Sequence, residues 1–304
     1  MDNTINYVHQ EKESFTSKIM KFGMTLAGVK TALEKGLKKG KIKNDPAPIP
    51  SSISKKYQVE TETIDGFKVW TLSPKKSKSD KVIFFFHGGA YVFNVYKQHW
   101  QLIDKLIEAT GTTIVVHDYP LVPQYTQKEA FEFTHKVYDN LMAKYQSKKK
   151  YFMGDSAGAG LALAFAQLLR NEGKPLPEQI ILSAPWLDVS LENPEVKSID
   201  KDDKMLGIEG LQMAGKAYAG ELDTKNYRVS PIYGDFKNLP KISIFIGSHD
   251  LFWADAKKLK AKLDKANIPM NYYEYPKMFH NWWIMVGLPE TKSVIKQVGS
   301  LLNN

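Results

Sequence analysis

Apolar and polar positions follow two rhythms along this 304-residue chain. Residues 1–45 carry apolar side chains at helical spacing, among them Ile19, Met20, Met24, Leu26, Ala27, Val29, Leu33 and Leu37, with lysines between them. Apolar residues recurring three and four positions apart form one stripe on a helix. Gly23, Gly28, Gly36 and Gly40 interrupt the pattern, which predicts two short helices rather than one. The prolines of Asn44–Ser52 mark a linker. The period then changes to two. Tyr57–Thr63 alternates, Asp65 and Gly66 signal a tight turn, and Phe67–Leu72 is the expected return strand. Ser73–Asp80 reads as a polar, lysine-rich loop.

Lys81–Phe86 is a continuous apolar run, as expected of a strand covered on both faces. Strand and helix patterns alternate from there. Strands are expected at Thr112–His117, Lys150–Met153, Gln179–Ser183, Lys241–Gly247 and Met270–Tyr275. Helices are expected at Trp100–Thr110, Lys128–Tyr145, Ala157–Asn171, Trp253–Ala266 and Glu290–Leu302. The class is therefore α/β, with a mostly parallel central sheet and helices on both faces. The rhythm breaks at Glu192–Asp235, which holds one helix, Ile208–Tyr218, and no strand. A long insertion after a strand's C-terminal end lies where such sheets bind ligands. With residues 1–45 it reads as a helical cap, leaving 46–304 as the main domain with an insertion at about 192–235. Plain packing on the body and contact with an anionic membrane surface are the lesser readings of residues 1–45.

Composition narrows the function. The chain has no cysteine, which removes disulfides, thiolate nucleophiles and Cys-metal sites. The net charge is +9, but Arg170 and Arg228 are the only arginines. Bidentate phosphate and base-edge recognition favours arginine, so nucleic acid is not an expected partner. No apolar run reaches the length of a membrane span, and residues 1–15 lack the layout of a signal peptide, so a cytoplasmic location is expected. Monomer and homodimer are both compatible with the sequence.

Gly154-Asp155-Ser156-Ala157-Gly158 fits G-x-S-x-G between a buried strand and an apolar helix. A serine hydroxyl is a weak nucleophile that must be presented to a base, and a sharp strand-to-helix turn does this. His87-Gly88-Gly89 follows the Lys81–Phe86 strand directly. Glycines there let backbone N–H groups approach a ligand, and Gly88, Gly89 and Ala157 are the candidate oxyanion donors. Only His249 and His280 lie beyond Ser156, and His280 follows the last strand, so it is the candidate base. Asp250 ends the penultimate strand and is the preferred acid, with Asp255 and Asp188 as competitors. Tyr91, Phe252, Trp253, Trp282 and Trp283 flank these loops and are candidates to line an apolar pocket. The chemistry calls for no metal and no cofactor.

Five motifs together resemble the hormone-sensitive-lipase-like branch of the α/β-hydrolase superfamily, which includes many bacterial carboxylesterases. They are the His87-Gly88-Gly89 loop, Asp118-Tyr119-x-Leu121-x-Pro123, the Ser156 elbow, Ser183-x-Pro185-Trp186-Leu187-Asp188, and Asp250-Leu251 with His280. The resemblance spans about residues 80–285. It implies an α/β-hydrolase fold, with Ser156 as nucleophile, Asp250 and His280 as its partners, and a cap built from the N-terminus and the insertion. Ala90 stands where many relatives have a third loop glycine. Pro120 replaces a common Arg, Gln124 a Glu, and Asn281-Trp282 the frequent Gly-Phe.

The expected function is a serine carboxylesterase. It would hydrolyse small, uncharged, short- to medium-chain esters through an acyl-enzyme. An amidase, deacetylase or lactonase would use the same triad. A non-catalytic ligand-binding protein on this fold is the alternative from another class.

Overall fold

The computed structural model describes residues 4–76 and 79–303. Met1–Asn3 of the expected cap segment, Ser77 and Lys78 of the polar loop, and Asn304 lie outside the described residues.

Among the described residues, nine strands form one sheet. They are β1 (Asn6–Val8), β2 (Tyr57–Ile64), β3 (Phe67–Pro74), β4 (Lys81–Phe86), β5 (Thr113–His117), β6 (Lys149–Asp155), β7 (Gln179–Ser183), β8 (Lys241–His249) and β9 (Met270–Phe279). The order across the sheet is β1-β9-β8-β7-β6-β4-β5-β3-β2. From β1 to β5 every pairing is parallel; β3 and β2 are antiparallel additions at one edge. The β2–β3 hairpin closes on Asp65 and Gly66, both at positive φ (51° and 87°), as a primed two-residue turn requires.

The helices are α1 (Phe15–Leu26), α2 (Ala32–Lys39), α3 (Ser51–Lys56), α4 (Lys97–Thr110), α5 (Gln127–Lys144), α6 (Ser156–Asn171), α7 (Glu195–Ile199), α8 (Ile208–Ala219), α9 (Trp253–Lys265) and α10 (Pro289–Asn303). The core divides along the pleat. Phe84, Phe86, Phe152 and Ile180 join one apolar cluster with α5, α6 and α9. Their strand neighbours Ile83, Phe85, Met153 and Ile181 join a second with α4 and α10. Successive side chains on a strand point to opposite faces, so a doubly covered strand must be apolar at every position.

The N-terminal segment departs from an all-helical cap. β1 extends the sheet beside β9, with Tyr272 N donating to Ile5 O at 2.8 Å and His9 N to Glu274 O at 2.9 Å. Tyr7 packs on Tyr273 and Tyr275, which gives this short edge strand an apolar anchor. The two expected helices follow as α1 and α2. Between them Gly28 sits at φ 63°, which L side chains rarely adopt. The insertion between β7 and β8 holds α7 and α8 and no strand among the described residues.

Candidate active site

β6 runs straight into α6, and the turn falls on Ser156. Its φ is 54°, unusual for a residue with a side chain and the mark of a strained strand-to-helix corner. The corner closes only with glycine at the contacts. A Cβ on Gly158 would lie 2.2 Å from Phe86 O and 2.3 Å from His87 O. One on Gly154 would lie 2.8 Å from Phe86 O.

His280 follows β9 and turns its Nε2 to within 2.9 Å of Ser156 Oγ. Its Nδ1 lies 2.8 Å from Asp250 Oδ2. Asp250 follows β8 directly and is fixed by Phe252 N, which donates to Oδ1 at 2.9 Å. All three side chains are buried. Burial works against charge on the His280 ring, but Asp250, with Asp203 and Asp155 behind it, outweighs that and raises its pKa above the ordinary 6.5. The competing groups are engaged elsewhere. Asp188 accepts from Tyr233 and Ser190, Asp255 from Asn193, and His249 lies beside Lys21.

The loop after β4 is held by a residue that the sequence offered only as a spacer. Asp155 is fully buried beside Ser156. Its carboxylate accepts from Gly88 N (3.0 Å), from Asn281 Nδ2 (2.7 Å) and from His99 Nε2 (3.3 Å). Burial opposes its charge, yet His99 and the Gly88 N–H hold the carboxyl below the usual range. Tyr119 Oη donates to His87 O at 2.7 Å and steadies the same loop. Burial, with His99 nearby, pushes His87 down to about 3, so its ring is neutral.

This arrangement corrects one expectation. The Gly88 N–H is already bonded to Asp155, so it is not available to an oxyanion. The next two residues, Gly89 and Ala90, line the cavity above Ser156, and no hydrogen bond among the described residues takes their N–H groups. Gly89 is at φ 129° and a Cβ there would lie 2.2 Å from Phe93 O. Ala90 is at φ 56° and occupies the third loop position without a glycine. Ala157 follows Ser156 at the N-terminus of α6.

The cavity above Ser156 and His280 measures about 390 Å³. Val29, Lys30, Ala32 and Leu33 form one side, and Met205, Leu206, Gly207 and Leu211 of the insertion another. Phe93, Tyr96, Gln98, Asn281, Ile284 and Met285 complete it. None of the five expected pocket aromatics lines it. Tyr91 stacks on Tyr218 at 3.6 Å beneath the insertion. Phe252 meets the His280 ring edge-on at 5.1 Å, behind the catalytic face, and stacks on Trp186. Trp282 and Trp283 are fully buried in the core, and Trp253 donates to Glu274 of β9. Large aromatics next to a catalytic loop in sequence had a core to fill instead.

The insertion reaches the acid loop through another buried carboxylate. Asp203 Oδ2 accepts from Leu251 N at 2.9 Å, and Oδ1 from Met205 N and Leu206 N at 2.7 and 2.8 Å. Burial and the neighbouring Asp250 push its pKa up to about 6. No local sequence pattern marks the contact of Asp203 with Leu251 or that of Asn281 with Asp155, because those partners lie 48 and 126 positions away. Asp155 was visible inside the elbow motif but carried no sign of its three partners.

A sequence model described as the alpha/beta hydrolase fold matches residues 83–284, which include Ser156, Asp250 and His280. An acetyl-hydrolase of Streptomyces hygroscopicus is 30% identical over 224 residues, 73% of this chain and 75% of its own length. An esterase of Acinetobacter venetianus is 29% identical over 226 residues, with 73% and 75% covered. The crystal structure of an esterase/lipase from an uncultured bacterium superposes with a TM-score of 0.80 at 26% identity, covering 95% of this chain and 98% of that one. EstE5 soaked with p-nitrophenyl butyrate gives 0.79 at 27% identity, covering 95% and 97%. The chain belongs to the α/β-hydrolase family, in its hormone-sensitive-lipase-like branch.

Proposed function

We propose that this chain is a serine carboxylesterase acting on small, uncharged, short- to medium-chain esters. The observation that carries it is the continuous contact from Asp250 through His280 to Ser156, at 2.8 and 2.9 Å, under an apolar cavity. Ser156 Oγ attacks the ester carbonyl while His280 Nε2 takes its proton. Asp250 holds the imidazole tautomer and stabilises the imidazolium without taking the proton. The N–H groups of Gly89, Ala90 and Ala157 receive the developing oxyanion; each such donor contributes about 3–4 kcal/mol in the transition state. His280 then protonates the leaving alcohol, giving the acyl-enzyme. Water, deprotonated by His280, attacks it and restores Ser156.

The substrate class rests on the lining. It is dominated by aliphatic side chains, and Lys30, its one lysine, has its ammonium bonded to Asp200 and Asp203. A charged acyl group would find no counter-ion there and would be desolvated. The volume suits a ligand of modest size. In this reading residues 1–45 and the insertion at about 192–235 form the cap, with residues from 29–33 and 205–211 facing the cavity, and 46–304 is the catalytic domain that carries the insertion. The test compares p-nitrophenyl acetate, butyrate and octanoate with amides and lactones, alongside Ser156→Ala. The variant is expected to fold normally and to lose at least about a thousandfold in kcat. Full retained activity, or amides cleaved faster than every ester, would overturn the proposal.

A further inference from the structure

Helix α1 carries its apolar stripe on the wrong side for a helix that merely packs on the body. Phe15, Ile19, Phe22 and Leu26 are 77%, 54%, 66% and 73% exposed. At helical spacing they fall within about 60° of arc. The opposite face is already anchored. Ser17 is buried there, and Met20 and Met24 pack against the cluster that contains Trp282 and Ile284. Polar contacts fix the rotation of the helix. Glu290 accepts from Ser14 N at 2.8 Å and from Ser14 Oγ at 3.1 Å. Lys21 pairs with Glu13 at 2.6 Å and donates to Lys277 O at 3.1 Å. The four side chains therefore cannot roll inward without breaking these contacts.

We propose that α1 docks the protein on an anionic lipid surface. A short amphipathic helix with its apolar face outward inserts at the headgroup boundary, and cations beside it add attraction to anionic lipids. Lys12 and Lys18 are exposed beside the stripe, and Lys35, Lys39, Lys41 and Lys43 follow on the next segment. None of these six makes an ion pair among the described residues. The same charge argues against a second copy as occupant, since it would bring two cationic rims together. The docked helix leads through Gly28 directly to Val29, Ala32 and Leu33 of the cavity wall. Docking would place that wall beside a lipid layer, where apolar esters concentrate.

The test uses the full-length protein and flotation with two kinds of vesicle, pure phosphatidylcholine and phosphatidylcholine mixed with phosphatidylglycerol. It needs no catalysis, so it stands apart from the esterase assignment. The protein is expected to float with the anionic vesicles and to be released by high salt. The exposed double variant Phe15→Ser/Phe22→Ser is expected to bind them at least about tenfold more weakly, with an unchanged thermal midpoint. No flotation, equal flotation with the neutral vesicles, or binding untouched by the double variant would each overturn the proposal. So would a homodimer that the double variant splits into monomers.

Discussion

His280 is held between two opposing influences, and their balance has a kinetic consequence. Burial disfavours the imidazolium, while Asp250 and, further off, Asp203 and Asp155 favour it, and the net shift is upward. General-base catalysis needs the neutral ring. A pKa raised in the fold keeps the ring protonated to higher pH, so activity is lost on the acid side earlier than for an ordinary histidine. The acid limb of kcat/KM for p-nitrophenyl butyrate is expected to inflect above pH 6.5. A profile measured from about pH 5 to about pH 9 would contradict this with an inflection below that value. The residues that create this environment differ in how far the sequence revealed them. Ser156, His280 and Asp250 were legible because the strand-to-helix turn and the strand ends limit where such groups can be used. Asp155 was not, because its role comes from Gly88, His99 and Asn281, which are 67, 56 and 126 positions away. Gly88 looks like an oxyanion donor in the sequence for the same reason: the carboxylate that takes its N–H lies 67 positions away.

At the scale of elements, the acid loop after β8 is joined to the insertion by Asp203. Its carboxylate takes three backbone N–H groups, one of them from Leu251, the residue after Asp250. Asn at this position could still accept from Met205 and Leu206, but its Nδ2 would then face the Leu251 N–H, donor against donor. An unsatisfied buried donor costs about 1–3 kcal/mol. Asp203→Asn is therefore expected to lose that much stability in urea titration. It also removes one of the charges that raise the His280 pKa, so the acid limb should move to lower pH. A variant with unchanged stability and an unchanged limb would show that the insertion is not coupled to the acid loop. Elements of this kind were unevenly legible. β4, β6, β7 and β8 announced themselves as apolar runs because both of their faces are covered. β1 has three residues and α3 six, too few for a period to show, and both take their stability from what they pack against.

For the whole molecule, two segments far apart in sequence share the wall of one cavity, and Lys30 links them. Its ammonium lies 2.8 Å from Asp200 Oδ1 and 3.3 Å from Asp203 O, and it also donates to Asp200 O. Gly207 allows the contact, since a Cβ there would lie 2.4 Å from Lys30 O. The expected pocket aromatics failed at this scale. Nearness in sequence to a catalytic loop does not say which side of the sheet a ring will enter, and the packing of the core settled that. The lining came instead from residues 29–33 and 205–211, whose meeting depends on the complete fold. Removing the Lys30 ammonium should loosen this wall without touching the reacting atoms. The pair is partly exposed, with side chains 31% and 36% accessible, so its loss is worth about 1 kcal/mol rather than the figure for a buried pair. A wall that must be ordered by the substrate charges that cost to binding, which corresponds to about fivefold in KM. Lys30→Ala is accordingly expected to raise KM for p-nitrophenyl butyrate by about that factor, with kcat changed by less than about twofold. If kcat fell about tenfold with KM unchanged, the linkage would be acting on the chemistry at Ser156, and the two segments would be more than a wall.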